Sequence, residues 1–563
     1  MRRRIAPLPA RGILRLGAGG GIWRKRAVSV VVAAAVPNLV LLALGRLDLA
    51  VYTSAGSLCA LYAHGEPYAA RARTLAWVVL GMAAGTGAGL CTAALTDSTA
   101  LRVAVAALLA AAHKIACDAA RIGPPGNVIF TFTAASCAFL PQRPQDVPFH
   151  VGLTLLAGAF AWLVGMAPAL VRPHGPERLA AALALDAAAR LRAAGPDAGG
   201  RARHEAAAAI NAAWHTLRAT RTRARPALER LVVRAESALA GAAVDPAELA
   251  GWARGLRGSG PVPVPAPLPG ESAELAGIAA AARSGSARGP RALAAALRPG
   301  SPLLPIGARV AAGAALAGWV TMAMGVERPY WAVVTAASVF QANTTLSWSR
   351  AAQRVVGNLA GLAVFTALVP VTRLAPVLLV LAVLALSFAA EAGMARNYWL
   401  GTVWVTPMAL MMSEFAGYQP AGEMVLERWL DTLAGAALGM LCCVVVTNRR
   451  ATGRVESALD RLASAADAGR ALRAAGDAAP ADLAAARDRL AGALVELREA
   501  ADVAAGEWWQ GALPEERVAG AERDGHRLLA ALAPAAFTAP TAPAAPTAPA
   551  ASAGAAAPAA GRA

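Results

Sequence analysis

Lysine is almost missing from this chain. Only Lys25 and Lys114 occur among 563 residues, so the net charge of +18 is carried by arginine. No Gly-Lys-Ser/Thr element exists, which excludes a phosphate loop and with it ATP-driven transport of the P-loop kind. The seven histidines (His64, His113, His150, His174, His204, His215 and His526) are scattered, and no metal-ligand cluster is legible. The six cysteines have no C-x-x-C spacing and fall in or beside apolar runs, where they read as small buried hydrophobes; neither a disulfide framework nor a zinc site follows. No nucleophile-and-base arrangement is present, so no enzyme, cofactor or metal is expected. The basic balance does not indicate nucleic acid, because no binding module accompanies it and much of the arginine sits at the ends of apolar runs.

What is present is hydrophobic length. With 57% hydrophobic residues, 16% charged residues and a mean hydropathy of +0.47, the chain reads as an all-α polytopic membrane protein with soluble attachments. Apolar runs occur at about 28–44, 47–63, 74–95, 99–117, 126–140 and 149–171, and again at about 303–325, 329–342, 352–370, 374–392, 397–413 and 427–446. The expectation is about 12 membrane helices in two groups of six. The first run is read as a retained helix rather than a cleaved leader, because no small-residue cleavage site follows it.

The chain is organised around 324–361. Glu327-Arg328-Pro329 leads into a short apolar segment, Tyr330 to Phe340, which is too brief for a full crossing. The polar residues Gln341, Asn343, Thr344, Thr345 and Ser347 follow, then Arg350 and Arg354, then the ladder Gly357-Asn-Leu-Ala-Gly361. A short, proline-headed segment ending in polar residues suits either a discontinuous helix beside a substrate path or a helix packed inside the bundle. The pattern Arg-Pro-Tyr-Trp, Thr335, Gln341, Arg350, then Gln353-Arg354-Val-Val-Gly357-Asn-Leu-Ala-Gly361 resembles the second membrane module of FUSC-type proteins, the fusaric-acid-resistance and aromatic-acid-exporter-like transporters. That resemblance covers Pro302 to about Val446; the N-terminal half shares only the six-helix layout. It implies a transporter fold and, more loosely, efflux of small organic anions such as aromatic carboxylates.

The two groups of six correspond. Gly81-Met-Ala-Ala-Gly85 matches Gly357-Asn-Leu-Ala-Gly361, Arg121 with Gly126 matches Arg396 with Gly401, and Leu156-Ala-Gly-Ala matches Leu433-Ala-Gly-Ala, all at an offset of about 276. Each unit has an even number of spans, so the repeats are expected to be parallel. Arginine placement puts both termini and the central insert on the cytoplasmic side of a cell (inner or plasma) membrane. The domains are then a basic N-terminus at 1–27, a first module at 28–171, a helical insert at 172–302 with a Pro-rich spacer, a second module at 303–446, C-terminal helices at 447–533, and an Ala/Pro/Thr tail at 534–563 expected to be disordered.

Candidate residues for transport are polar groups at membrane depth. Arg350 and Arg354, one turn apart, either clamp a carboxylate or snorkel to the headgroups. Tyr330 and Trp331 offer aromatic faces or belong to an interfacial belt, and Gln341 ends the short segment. Glu391 and Asp431 are the proton-coupling candidates; the plainer expectations are ion pairs with Arg396 and with Arg428. Pro329 starts a helix whose free N–H groups would favour an anion. The glycine ladders need only close helix packing. Expected partners are a small organic anion and anionic lipid headgroups, with homo-oligomerisation left open. The competing functions are a passive anion channel, similar to plant malate channels, and a non-transporting scaffold whose cytoplasmic helices bind partners.

Overall fold

The computed structural model describes residues 12–17, 22–194, 200–219, 225–239, 244–258, 260–265, 293–294, 296–299, 301, 303–341, 343–445, 451–506 and 514–532. The spacer beyond residue 265 and the tail at 534–563 lie outside them. The described residues form helices without strands.

The first six apolar runs become α1 (Trp23–Ala43), α2 (Ala50–Ser57, flanked by 3-10 turns so that Leu47–Leu61 is continuous), α3 (Tyr68–Leu95), α4 (Thr99–Ala119), α5 (Asn127–Cys137) and α6 (Val147–Met166). A single turn, α7 (Pro168–Val171), follows. The helices α8 (Gly175–Ala193), α9 (Gly200–Arg218), α10 (Arg225–Leu239) and α11 (Pro246–Arg257) make up the insert. The second six are α12 (Leu303–Ala323), α13 (Tyr330–Val339), α14 (Thr344–Thr372), α15 (Pro376–Met394), α16 (Tyr398–Ser413) and α17 (Ala421–Val445). Three polar helices end the described chain: α18 (Ala451–Ala475), α19 (Pro480–Ala505) and α20 (Glu515–Ala531).

Local chemistry sets these boundaries. Asn343 and Asn397 cap α14 and α16, each side chain accepting a backbone N–H of the first turn, from Leu346 (2.8 Å) and Trp399 (3.3 Å). Ser98 and Asp245 do the same for α4 and α11. Proline opens α15 and α11, where its missing N–H costs nothing.

About twelve full crossings were expected; eight described helices are long and apolar enough to cross a membrane. The shorter segments, Leu47–Leu61, Asn127–Cys137, Tyr330–Val339 and Tyr398–Ser413, hold the second and fifth places of each group. Polar and helix-breaking residues cut them short, as Glu327-Arg328-Pro329 and Gln341 do on either side of α13.

The two groups pack by the same scheme. In the first, α6 lies against α1, α2 and α3, and α5 against α3 and α4; in the second, α17 lies against α12, α13 and α14, and α16 against α14 and α15. Between the groups, α1 packs on α15 and α12 on α4, which are the same contact with the groups exchanged. The symmetry is not complete, because α13 also packs against α4 and α5.

Small residues set the close approaches. A Cβ at Gly357 would lie 2.6 Å from the carbonyl oxygen of Trp399, and one at Gly361 would lie 2.9 Å from that of Val403, so α14 and α16 touch backbone to backbone. Gly435 places α17 on α13 in the same way, 2.8 Å from the carbonyl of Ala332.

Beneath the bundle, α8–α11 and α18–α20 share one apolar core built around Leu185, Trp214, Leu231, Leu462, Leu490 and Leu529. Arg178 secures this lobe by donating to the carbonyls of Leu256, Gly260 and Gly255 at the end of α11. The lobe meets the bundle where Gly506, after α19, accepts hydrogen bonds from the N–H (3.0 Å) and hydroxyl (2.8 Å) of Thr345.

Gly435→Val should cost about 1–3 kcal/mol through overpacking, read as a lower thermal midpoint of the detergent-purified protein. Gly152→Ala, where a Cβ meets nothing within 4 Å, should be neutral or stabilising by up to about 1 kcal/mol. Equal midpoints for the two variants would contradict the packing account.

Candidate functional site

Buried charge is concentrated in the second module. In the first, Asn38, Thr86, Asn127, Thr131 and Thr154 are buried but neutral, and Arg71 has its guanidinium occupied by the carbonyls of Ala63, His64 and Gly165. In the second, Arg354, Glu391, Arg428 and Asp431 are all buried within the membrane helices.

Three of these belong to a polar column running between α13, α14, α16 and α17. At one end, Arg354 donates from Nη1 to the Tyr398 hydroxyl (2.9 Å), and its Nε lies 3.5 Å from Thr335 Oγ1. Arg350, a turn earlier, lays its guanidinium 3.8 Å from the centre of the same Tyr398 ring. The two arginines therefore share a face as expected, but what they hold is a phenol. Only Arg350 retains partial exposure; Arg354 points into the bundle and does not snorkel.

Further in, the Thr406 hydroxyl donates to Asn358 Oδ1 (2.6 Å) and Asn358 Nδ2 donates to Thr432 Oγ1 (2.7 Å), joining α16, α14 and α17. The Thr406–Asn358 bond forms where Gly357 and Gly361 bring α14 and α16 close enough for short side chains to meet.

At the other end are Arg428 and Asp431. The expected pair does not form: Arg428 instead places its guanidinium 4.0 Å from the centre of the Trp331 ring, a cation–π contact. Its Nε and Nη1, and both carboxylate oxygens of Asp431, have no hydrogen-bond partner. Asp431 is 0% exposed. Thr321, whose hydroxyl faces it, donates to the carbonyls of Ala317 and Gly318.

Beyond this end opens a cavity of about 420 Å3 at which the four short segments converge. Val51 and Ala55 of the second segment, Phe132 and Ser136 of α5, Arg328 and Tyr330 at the head of α13, and Met412 of α16 line it. Tyr330 lies 5.5 Å from Phe139 and 5.0 Å from Trp331, which stacks on Phe132 at 5.3 Å. An aromatic wall thus separates the cavity from the column. Arg328 is held by Glu427 at 3.9 Å.

The opposite end is covered. Gln353 and Asn397 donate to the carbonyl of Ile13 (2.8 and 3.1 Å), Asn397 to that of Arg15 (2.9 Å), and Trp399 Nε1 to that of Leu14 (3.1 Å). The segment 13–17 therefore lies across the mouth beside Arg350, Arg354 and Tyr398.

Residues 315–442, which contain the column, match the family described as Fusaric acid resistance protein-like. The chain is similar to that family over this segment, which covers most of the second membrane module. The "Uncharacterized membrane protein YvaC" of Bacillus subtilis (strain 168) is 26% identical over 491 residues, spanning 80% of this chain and 77% of its own. No solved structure matches significantly.

Within the second module, the residues singled out from sequence divide. Tyr330 lines the cavity, and Trp331 backs it through the aromatic wall. Arg354 and Asp431 stand in the column, with Arg350 at its mouth. Gln341 joins neither: its Nε2 folds back on the carbonyls of Ser338 and Phe340 (both 3.2 Å), and its N–H donates to Ser347 Oγ. Glu391 pairs not with Arg396 but with Arg26 of α1, at 3.0 Å, fixing one module against the other. The first N–H groups of α13 are not free either, since those of Trp331 and Ala332 donate to the carbonyls of Arg328 and Pro329.

Asn358, Thr406 and Thr432 escaped the sequence reading, as did Phe132 and Phe139. Asn358 sits inside the glycine ladder itself, and the short fifth run was the available signal for the two phenylalanines.

A buried carboxylate without hydrogen bonds is a stability liability. Asp431→Asn should leave the thermal midpoint unchanged or raise it. A fall of several degrees would mean that Arg428 anchors Asp431 after all.

Proposed function

We propose that the chain is a secondary transporter exporting small organic anions, aromatic carboxylates above all, through the second module, with its termini and helical lobe on the cytoplasmic side. The observation carrying this reading is the polar column, in which Arg428 Nε and Nη1 and both Asp431 carboxylate oxygens are buried without hydrogen bonds. Ionisable groups at membrane depth are costly and are retained where they line a path or relay protons.

The chemistry of each end suits such a cargo. Arg354 and Arg350 offer two guanidinium groups to a carboxylate, which would displace the Tyr398 phenol from Arg354; the bidentate geometry favours arginine over lysine. The Asn358–Thr406–Thr432 chain supplies hydrogen-bonding partners halfway along. Phe132, Phe139, Tyr330 and Trp331 would stack on a planar ring as it reaches the cavity, and Arg428 would meet its charge. Asp431, without a hydrogen-bond partner and close to Arg428, is the group best placed to take a proton as the anion passes; Glu391, already paired with Arg26, is the weaker candidate.

Proteoliposomes preloaded with labelled benzoate test this. Efflux should depend on an imposed pH gradient, fall at least tenfold in Arg354→Gln, and lose its gradient dependence in Asp431→Asn. Gradient-independent flux in the parent would indicate a passive channel, and no flux under any condition would indicate a scaffold.

A further inference from the structure

A larger hollow, about 710 Å3, lies in the helical lobe between α9, α19 and α20. Its size falls within the range of small-molecule sites. Ala207, Leu494, Val495 and Ala519 give it an apolar floor, while Arg203, His204, Arg523 and His526 supply basic groups on its walls.

The arginines at this hollow differ from their neighbours. Arg461, Arg498 and Arg517 are each ion-paired, with Glu496, Glu522 and Glu456. Among the described residues neither Arg203 nor Arg523 has a carboxylate partner, and Arg203 Nε is buried with no hydrogen-bond partner at all. Two carboxylates also reach the hollow. Glu522 is offset by Arg498 at 3.5 Å, which leaves Glu516 as the uncompensated acid. Burial, reinforced by the nearby Arg203 charge, pushes the His526 imidazole down to about 4. At neutral pH it is an uncharged hydrogen-bonding group, and the positive charge comes from the two guanidiniums.

We propose that this hollow binds a small organic carboxylate, with Arg203 and Arg523 holding the carboxylate and Leu494 and Val495 its apolar body. The site is separate from the membrane path and does not rest on the transport reading. One wall of the hollow is joined to the membrane helices: α19 ends at Gly506, which accepts hydrogen bonds from Thr345 in the first turn of α14, the helix carrying Arg350 and Arg354.

Equilibrium dialysis of radiolabelled benzoate against the detergent-purified full chain tests the assignment, in an Arg354→Gln background so that the column contributes least. Benzoate should bind there, and Arg203→Gln with Arg523→Gln should weaken binding at least tenfold without moving the ligand-free melting temperature. Glu516→Gln should tighten binding severalfold by removing a repulsive charge, an effect that damage to the fold would not produce. Absence of binding in the Arg354→Gln protein, or unchanged affinity in the arginine double variant, would overturn the proposal. Neither result bears on the flux measurements, which test the membrane path by itself.

Discussion

Charge buried among membrane helices is the constraint from which the rest of this structure follows. A guanidinium or carboxylate removed from water costs several kcal/mol unless another group takes over its solvation. The second module answers that cost differently at each position. Arg354 has a phenol and a threonine, Arg428 has the face of an indole, and Glu391 has an arginine from the other module. Asp431 has the Arg428 charge and the Thr321 hydroxyl nearby, but neither carboxylate oxygen is hydrogen-bonded. Such an arrangement is poor as a stabilising device and intelligible as a path kept open to something charged.

Close helix packing brings the polar side chains of the column together. Glycine at 357, 361 and 435 removes the side chains that would hold α14 from α16 and α17 from α13. At that separation Thr406 of α16 reaches Asn358 of α14, which in turn is bonded to Thr432 of α17. The first module is built by the same packing scheme yet buries no unengaged charge. The two halves therefore share a packing scheme but differ in content: α5 of the first lends an aromatic wall, and the second carries most of the buried ionisable groups.

Much of this was legible in the chain, and what was not has physical reasons. The twelve apolar segments and the brevity of the one at Tyr330 to Phe340 follow from hydropathy, because lipid-facing and core positions alike require apolar side chains. The pairing of Glu391 was misread because Arg396 is near in sequence whereas Arg26 is near only once α1 packs on α15. Arg428 and Asp431 share a helix face at the right spacing, but Trp331 competes for the guanidinium and no sequence rule ranks the two. Threonine and asparagine in a membrane helix look alike whether they bond their own backbone or a neighbouring helix, so the hydrogen-bonded chain at the centre of the column had no distinguishing signature. The hollow in the lobe arises from three helices whose packing angles no periodicity specifies.

The central claim is that the column is reached by water and by an organic anion. Single cysteines placed at Asn358 and Thr406, in a protein freed of its native cysteines, should react with a membrane-impermeant thiol reagent and be protected by benzoate. A cysteine replacing the exposed, lipid-side Leu381 of α15 should not react. If positions 358 and 406 prove as inert as 381, or react without regard to benzoate, the column is packing and not a path.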